Sequence, residues 1–456
     1  MIKDIILKYN RPGPRYTSYP PANFFHQEFK TEDYHRALVQ SNFEKPENIS
    51  IYVHVPFCPK MCHFCGCNTD KLDNKETLER YFDSILKEIN SVAGLLNKNR
   101  VVTQIHWGGG TPNSVPFKYI EKVMARLQDL FKFSEKAEIA MECSPAYLTK
   151  DYIFNLKKAG FNRISLGIQD LKLDVLEAVN RSPARYPIEE MVADIREAGF
   201  TGLNIDLIYG LPLQTKKSFL KTIKEIVKLK PNRLVTFSYA HVPWVKDSQN
   251  VLEKLGLPSP EDKLEMFLVA FNELIESGYI SIGMDHYALP DDELAFAKRE
   301  KLLHRNFQGY CTKETTGQVY AFGSTGISQL HGAYSQSIKN TSQYIKEIQE
   351  NNLATERGYQ LTEKDIVVRK VINEVMCNGF LNFSNCASEL SISVEKLKEI
   401  IKFDIAKFEE FKNDNLLEIS EEAISINETG MMIVRNIAMA FDPDLAVNTN
   451  QYSKTI

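Results

Sequence analysis

The sequence has 456 residues, with 55 Lys and Arg against 59 Asp and Glu, a formal net charge of −4, and 43% hydrophobic residues. A chain of this size forms two or three domains or one large barrel with an appendage, and its mild acidity disfavours a general binder of nucleic acid. No apolar run reaches the ~18 residues of a membrane helix, and the acid within the first residues does not fit a signal peptide. We therefore expect a cytoplasmic protein with neither a membrane nor a nucleic-acid partner.

Residues 1–49 show no clean helical or strand period. They contain a turn-rich aromatic stretch from Arg11 to Pro20, which reads RPGPRYTSYP. This composition predicts an ordered N-terminal arm over 1–49 and not a separate domain.

From residue 50 onward, strand patterns alternate with helical patterns. The predicted strands are 51–55, 101–107, 138–142, 163–168, 203–208, 233–239 and 279–284. The predicted helices lie near 75–96, 115–132, 149–158, 187–199, 216–228 and 260–278. Such alternation is typical of parallel βα units, so six or seven units predict an α/β fold with a partial or complete TIM-like barrel over 50–335. A doubly wound sheet is the alternative.

Residues 336–456 predict a mainly helical C-terminal domain. A capping box at Thr362–Asp365 starts one helix, a second helix covers 393–414, and strands at 416–419 and 423–426 precede a last helix at 428–440. Helices followed by a β-hairpin resemble a winged-helix module. Residues 361–456 contain 10 Lys and Arg against 16 Asp and Glu, so we expect a packing or substrate-covering role and not DNA binding.

Four of the eight cysteines lie within ten residues, in the order Cys58, Cys62, Cys65 and Cys67. Thiolates suit zinc or iron–sulfur clusters, but structural zinc sites generally use two separated pairs of ligands. The C-x3-C-x2-C spacing therefore favours a [4Fe–4S] cluster on Cys58, Cys62 and Cys65 with one iron open to a ligand. An electron-transfer cluster with Cys67 as a fourth ligand and a zinc site are the alternatives. The other four cysteines are expected to be buried small hydrophobic residues.

Candidate binding groups follow the predicted strands, where a barrel enzyme places its site. The run Gly108–Thr111 follows the second strand, Glu142 ends the third, Gln169 ends the fourth, Asp206 lies on the fifth, and Ala240 follows the sixth. Glycines allow the backbone to approach a ligand closely. A tight turn and structural carboxylates are the plain alternatives for these residues.

The cysteine triplet after a first barrel strand resembles the radical S-adenosylmethionine superfamily. Longer stretches resemble the oxygen-independent coproporphyrinogen III oxidases more narrowly, and together they span essentially the whole chain: 11–20, 52–58, 65–68, 204–212, 283–286 and 304–310. One departure occurs after the third strand, where Glu142-Cys143-Ser144-Pro145 replaces the Glu-Ile-Asp-Pro pattern of the family. Glu142 is retained, and the local contacts of this loop are in doubt.

The resemblance implies oxidative decarboxylation of two propionates of coproporphyrinogen III to vinyl groups, giving protoporphyrinogen IX. The 5′-deoxyadenosyl radical that starts this reaction comes from S-adenosylmethionine at the cluster. By matching positions, the resemblance implies two S-adenosylmethionine molecules. The cluster-bound molecule contacts Tyr52, Gly109, Glu142 and Ile327. The second contacts Phe64, Gly110, Thr111, Gln169, Arg181, Asp206 and Ala240. From the sequence alone, a solvated helix charge is the favoured interpretation of Arg181.

A substrate with four carboxylates requires cations, preferably Arg for bidentate contacts. Arg11 and Arg15 on the arm and Arg305 are the candidates, and we hypothesise that the arm folds over the barrel mouth. We expect a monomer, and the sequence does not identify the electron donor or acceptor. A haem chaperone and another radical enzyme acting on tetrapyrroles are the alternatives. The chaperone relatives carry Phe at the position of Cys67, so this residue and the arm favour the oxidase.

Overall fold

The computed structural model describes residues 2–72 and 74–445, and these residues form two compact units. The barrel unit comprises residues 26–279 and 315–359, and the terminal unit comprises the described parts of 1–25, 280–314 and 360–456. Both units gather segments that are distant in sequence. The domain boundaries predicted at residues 49 and 335 stay a prediction, and residues 446–456 of the predicted C-terminal domain lie outside the described chain.

The barrel unit is built on six parallel strands, which we number β1 to β6. Each strand pairs with the next one along the chain. Their bounds are Ile49–Val55, Val101–Gly109, Lys132–Cys143, Arg163–Gln169, Gly202–Tyr209 and Arg233–Ser238. This sequential order confirms the predicted parallel α/β architecture and excludes the doubly wound alternative, in which the strand order reverses at a switch point.

The sheet continues on the other side of β1. Strand Gln318–Phe322 pairs in parallel with β1, and three further strands extend the sheet: Ile327–Gln329, Ala333–Ser337 and Thr355–Gln360. The strand order is linear from Thr355–Gln360 to β6 within this unit. Of the two predicted versions, the sheet therefore has the form of the partial barrel.

Four helices of the barrel unit begin at polar caps that the sequence contains. Side chains of Asn74, Thr149, Thr215 and Ser259 each accept a hydrogen bond from the first turn of the helix that follows, which satisfies otherwise unpaired backbone N–H groups. The helices of this unit are Thr31–Gln40, Lys75–Leu95, Phe117–Leu130, Lys150–Lys158, Leu173–Ala178, Ile188–Glu197, Lys216–Lys228, Asn250–Lys254, Pro260–Glu276 and Thr341–Asn351. In the described chain, no helix has the length and apolar character needed to cross a membrane.

The terminal unit combines short helices with small antiparallel sheets. Its hairpins are Ile280–Gly283 with His286–Ala288 and Leu303–Asn306 with Gly309–Thr312. A three-stranded sheet is formed by Phe380–Asn382, Ala423–Ile426 and Leu417–Ile419. Its helices are Ile2–Lys8, Glu293–Arg299, Glu363–Asn378, Phe383–Glu389, Val394–Ile400, Glu409–Asn413, Glu428–Met432 and Val434–Met439. The capping box predicted at Thr362 is confirmed, since Thr362 and Asp365 satisfy each other's backbone N–H groups.

Several predicted elements were wrong. The arm contains two helices, Ile2–Lys8 and Thr31–Gln40, that its irregular pattern did not indicate. The seventh predicted strand is not a parallel βα strand, because Ile280–Gly283 turns back into an antiparallel hairpin. The predicted helix 393–414 breaks where Lys402 adopts φ +47° and Asp404 caps a new turn. The predicted helix 428–440 breaks at Ile433, whose φ of −117° is not helical.

Candidate active site

The cysteine loop begins at the carboxyl end of β1. The pair Phe57–Cys58 forms a short parallel ladder with Asp70–Lys71, so residues 59–69 close into a loop. Two contacts with the segment after helix Leu173–Ala178 fix its far side. The backbone N–H of His63 donates to the Val179 carbonyl at 3.0 Å, and Asn180 Nδ2 donates to the Met61 carbonyl at 2.8 Å.

The three predicted ligands line one cavity, which is partly open to solvent. Cys58, Cys62 and Cys65 are free thiols in its wall. Thr111 Oγ1 lies 3.3 Å from Cys58 Sγ, and Arg181 Nη1 lies 3.6 Å from Cys62 Sγ. Cys67 is exposed and is not part of this wall.

The donor set of this cavity fits an iron–sulfur cluster, since three thiols from one short loop face the same space. Among the described residues, no three His, Cys, Asp or Glu side chains are already arranged as a metal site, so the fit rests on the shared cavity and the ligand chemistry. Burial raises the pKa of Cys58 to about 11 and also raises that of Cys62. Binding of a cluster to these thiols would therefore release protons.

The glycine run is pressed against the cysteine loop. Gly109 has φ +115°, and a Cβ there would lie 2.6 Å from the His54 ring. A Cβ on Gly110 would lie 2.6 Å from the Pro56 carbonyl, because the Gly110 N–H donates to the Val55 carbonyl at 2.7 Å. A side chain at either position would separate the ends of β1 and β2. The glycines are thus needed for this close approach.

Glu142 lies at the centre of the predicted cluster-side set. Its carboxylate accepts from His106 Nε2 at 2.9 Å and from the Gly109 N–H at 3.3 Å. Burial opposes ionisation of Glu142, but these hydrogen bonds prevail and lower its pKa. The Tyr52 ring stacks on His106 with centroids 6.1 Å apart. The structure therefore brings Tyr52, Gly109 and Glu142 together.

Ile327 connects to the same region through its neighbours. Thr325 Oγ1 lies 3.3 Å from His54 Nε2, and His54 Nδ1 lies 3.0 Å from the Tyr52 hydroxyl. Burial lowers the pKa of His54 to about 4, so this imidazole is neutral near pH 7. The loop before Ile327 is thereby attached to the end of β1.

The second predicted set gathers at the ends of β4 and β5. Arg181 Nη2 donates to the Gly167 carbonyl, and a Cβ on Gly167 would meet both Gln169 and Arg181. Gln169 has φ +70°, and its buried Oε1 has no hydrogen-bond partner in the described chain. Asp206 Oδ2 accepts from Ser165 Oγ at 2.9 Å. Arg181 is therefore part of the cavity wall and not a solvated helix charge.

Phe64 and Ala240 are the remaining members of the second predicted set. Phe64 packs against an apolar cluster that includes Val179 and Tyr239, and its carbonyl accepts from Gln249 Nε2 at 3.2 Å. Ala240 lies between Tyr239 and His241, whose side chains are hydrogen-bonded at 3.0 Å. Among the residues that the structure describes, Ala240 is not part of the cavity wall.

Sequence reasoning missed some members of the site. Ser144, Tyr147 and Ser182 line the cavity, and Lys246 Nζ donates to the Cys67 carbonyl at 2.7 Å. Ser144 and Tyr147 follow β3 directly, so their position after a parallel strand was the available signal. Lys246 comes from a loop with no pattern of its own.

The three candidate arginines all belong to the terminal unit, but they differ in surroundings. Arg11 is exposed and faces Glu410 at 3.4 Å. Arg305 is buried, and its Nη1 donates to the Arg15 carbonyl at 2.8 Å. The Arg15 side chain is exposed.

Comparison with known proteins extends these observations. Residues 52–226 match the Radical SAM superfamily. The oxygen-independent coproporphyrinogen III oxidase of Synechocystis is 38% identical over 449 residues, which cover 98% of this chain and 96% of the relative. Its counterpart in Escherichia coli is 39% identical over 455 residues, which cover 99% and 98% of the two chains.

Comparison with solved structures finds a similar protein. The structure of coproporphyrinogen III oxidase from Escherichia coli, described as a radical SAM enzyme, matches with a TM-score of 0.88 at 38% identity. The match covers 94% of this chain and 98% of that chain. The similarity therefore includes segments of both units and is not confined to the cysteine region.

Proposed function

This chain belongs to the oxygen-independent coproporphyrinogen III oxidase family, and on that premise we propose that it converts two propionates of coproporphyrinogen III to vinyl groups. Each conversion removes a hydrogen atom from the propionate β-carbon, carbon dioxide and one electron, and the product is protoporphyrinogen IX. The chain is a radical SAM oxidoreductase, so a [4Fe–4S] cluster and S-adenosylmethionine are its cofactors. A haem chaperone is the less supported alternative, since the full-length relatives are oxidases.

When bound, the cofactors supply the electron and the 5′-deoxyadenosyl radical that removes the hydrogen atom. The part of this chain is to hold them and to exclude water. Cys58, Cys62 and Cys65 would hold three irons, which leaves the fourth open to S-adenosylmethionine. Their common cavity supports this assignment. Cys67 would remain unligated.

The cluster-bound S-adenosylmethionine would rest on Tyr52, Gly109, Glu142 and Ile327. Glu142 suits the cationic cofactor because His106 and Gly109 keep its carboxylate ionised and fixed in place. A second S-adenosylmethionine would use Phe64, Gly110, Thr111, Gln169, Arg181, Asp206 and Ala240. The unpartnered Oε1 of Gln169 supports a polar ligand on that side.

The substrate carboxylates would bind to arginines of the terminal unit, with Arg305 and Arg15 better supported than Arg11. Arg11 already faces Glu410. Closure of the arm over the barrel mouth, the monomeric state and the cytoplasmic location stay predictions. The electron donor must be a one-electron reductant of low potential, and the electron acceptor must accept one electron per propionate.

The observation that carries the proposal is the cavity that three thiols share with Thr111 and Arg181, next to a fixed carboxylate at Glu142. We expect the anaerobically reconstituted chain, with dithionite, S-adenosylmethionine and coproporphyrinogen III, to release protoporphyrinogen IX and 5′-deoxyadenosine. Porphyrin binding without either product would contradict the oxidase and favour the chaperone.

Cysteine variants test the ligand assignment in the same preparation. Cys58→Ala, Cys62→Ala and Cys65→Ala should each lose the iron and sulfide of the cluster and all turnover. Cys67→Ala is the matched control from the same loop, and it should retain the full iron content. Loss of the cluster in Cys67→Ala would refute the assignment of an open iron.

A further inference from the structure

Two buried hydrogen-bond donors of the terminal unit have no partner in the described chain. They are Arg305 Nε and the Tyr310 hydroxyl, on residues that are 9% and 6% exposed. A buried polar group without a partner is destabilising, because it has lost its hydrogen bonds to water and gained none in the protein. Two such groups in one place therefore indicate a ligand that accepts hydrogen bonds.

The hairpin that carries both residues places them side by side. Strands Leu303–Asn306 and Gly309–Thr312 are antiparallel, and Arg305 lies directly opposite Tyr310 in the register. Directly opposite side chains share one face of the hairpin with Cβ atoms ~5 Å apart. The Arg305 guanidinium lies 5.5 Å from the centroid of the Tyr310 ring. The two donors thus belong to one packed pair.

The residues around Tyr310 fix the position of its hydroxyl, but none of those described forms a hydrogen bond with it. A Cβ on Gly283 would lie 2.4 Å from the Tyr310 hydroxyl, so glycine at this position leaves the space that the hydroxyl occupies. The His286 ring packs edge-on against Tyr310 at 5.1 Å, and its Nδ1 is bound to Asp285 at 2.8 Å. His286 and Asp285 therefore position the tyrosine ring and are engaged with each other.

The charge around the pair favours an anion. Arg435 Nε donates to the Pro14 carbonyl at 3.3 Å and its Nη2 donates to the Gly13 carbonyl, next to the Arg15 carbonyl that Arg305 binds. Burial, together with Arg15 and Arg305, lowers the pKa of Arg435 to about 10. The guanidinium groups of Arg15, Arg305 and Arg435 thus act on this region together with the carboxylate of Asp285.

We propose that Arg305 and Tyr310 form a carboxylate subsite that binds one propionate of the tetrapyrrole substrate. This inference rests on the proposed function and adds to it a second donor, Tyr310. A carboxylate has two oxygens, and each can accept one hydrogen bond of ~2.8 Å. One carboxylate can therefore bridge two donors on side chains that lie directly opposite each other, as Arg305 and Tyr310 do. The hydrogen bond from Arg305 Nη1 to the Arg15 carbonyl is compatible with this subsite, because the proposed donors are Arg305 Nε and the Tyr310 hydroxyl.

The test measures binding of coproporphyrin III, the stable oxidised form of the substrate, to the reconstituted full-length chain by porphyrin fluorescence. Tyr310→Phe removes only the hydroxyl. We expect affinity to fall about tenfold, as for a hydrogen bond to a charged group, while the melting temperature stays equal or rises because an unpartnered group has been removed. Arg305→Lys keeps the positive charge but removes the planar guanidinium with its Nε donor. It should weaken binding to a similar or greater extent.

Two controls separate recognition of the carboxylate from structural damage. Coproporphyrin III tetramethyl ester, which lacks the anions, should bind wild type and Tyr310→Phe with equal affinity. Tyr9→Phe removes a hydroxyl that is bound to Asp414 at 2.7 Å; it should lower the melting temperature and leave porphyrin affinity unchanged.

Unchanged affinity of Tyr310→Phe for coproporphyrin III, or an equal loss for acid and ester, would overturn the subsite. If wild type still releases protoporphyrinogen IX in that case, the proposed function stands without it. Absence of both turnover and coproporphyrin III binding in wild type would overturn both proposals.

Discussion

Two carboxylates of the barrel unit differ both in exposure and in their hydrogen-bond donors, and their pKa values shift in opposite directions. The Glu142 side chain is 45% exposed and accepts from an imidazole that can carry charge, and its pKa is lowered. Glu88 is 2% exposed and accepts from two neutral donors, the Gly323 N–H at 3.0 Å and the Tyr344 hydroxyl at 2.7 Å. Burial prevails there and raises the pKa of Glu88 to about 7. Partial exposure and a cationic partner together keep Glu142 ionised, and Glu88 has neither.

The raised pKa of Glu88 makes the stability of the fold depend on pH. The folded chain holds a proton on Glu88 up to about pH 7, whereas an unfolded glutamate loses it near its ordinary pKa of 4.5. Stability should therefore fall between about pH 4.5 and pH 7, by roughly 1.4 kcal/mol per pH unit from this group, and then level off. Glu88→Gln keeps the acceptor oxygen and removes the charge.

We expect Glu88→Gln to melt at a higher temperature than wild type at pH 7.5 and to match it near pH 4.5. Thermal unfolding across this range measures the difference between the two proteins. Glu79→Gln, on an exposed face of the same helix, is the control and should leave the pH dependence unaltered. A constant difference between Glu88→Gln and wild type at every pH would contradict the protonated state.

At the scale of elements, the contact between β1 and β2 positions the cysteine loop. Gly110→Ala would place a Cβ 2.6 Å from the Pro56 carbonyl and 2.8 Å from the Phe57 carbonyl, directly before Cys58. Backbone atoms must shift, so we expect a loss of about 1–3 kcal/mol in stability and a lower iron content after reconstitution. Thermal unfolding and iron analysis measure the two effects.

Gly94→Ala provides the matched substitution in the same unit. A Cβ there meets nothing within 4 Å, and the residue lies in the last turn of helix Lys75–Leu95. Alanine should stabilise this helix by up to ~1 kcal/mol and leave the iron content unchanged. Normal iron content and stability in Gly110→Ala would show that the contact between β1 and β2 can accommodate an added methyl group.

The elements differ in how far the sequence could predict them. Those determined by neighbouring residues were predicted, whereas those that depend on contacts with distant segments were not. Strands β1 to β6 and the predicted helices that follow them have strong periods, four of these helices have polar N-caps, and all six βα units were predicted. The short helix Glu428–Met432 is held against another segment, since a Cβ on Gly430 would lie 2.3 Å from the Leu416 carbonyl. The local sequence pattern does not contain this contact. The available local signal at the break near Lys402 was Asp404, a capping residue within the predicted helix.

The same argument applies to the candidate site. Cys58, Cys62 and Cys65 lie within eight residues, so their spacing alone indicated a cluster. Glu142 and His106 meet across neighbouring strands, a contact that requires the strand register. Tyr310 lies in the stretch 304–310 that resembles the family, but no pattern assigned it a role. Arg435 showed no pattern of its own, since the carbonyls that it binds, those of Gly13 and Pro14, lie on a distant segment of the terminal unit.

At the scale of the whole molecule, the two ends of the chain are joined within the terminal unit. The hydroxyls of Tyr16 and Tyr19 both donate to Asp442 at 3.0 Å, and Arg435 holds the carbonyls of Gly13 and Pro14. These contacts join positions more than 400 residues apart. Such closure has a large entropic cost that the packing of this unit must offset. The first part of the arm, up to Phe25, is therefore a structural part of the terminal unit and not a free extension.

Deletion of residues 1–20 should accordingly destabilise the terminal unit. Asp442 would lose two donors and remain in a partly apolar site, where burial already raises its pKa. A loss of about 3 kcal/mol corresponds to roughly 100-fold faster amide exchange. We expect this acceleration in helix Val434–Met439, measured by hydrogen–deuterium exchange of the full chain, and none in β2 of the barrel unit.

Tyr19→Phe is a milder variant to compare with this deletion. It removes one donor to Asp442 and leaves Tyr16, the arm backbone and its contacts with Arg435 in place, so it should give a smaller acceleration in the same helix. A free lid would behave differently, because its removal would leave exchange in Val434–Met439 unchanged while altering only substrate turnover. Unchanged exchange in the deletion variant would therefore contradict a structural arm, since a buried carboxylate that loses both hydroxyl donors cannot keep the stability that they provide.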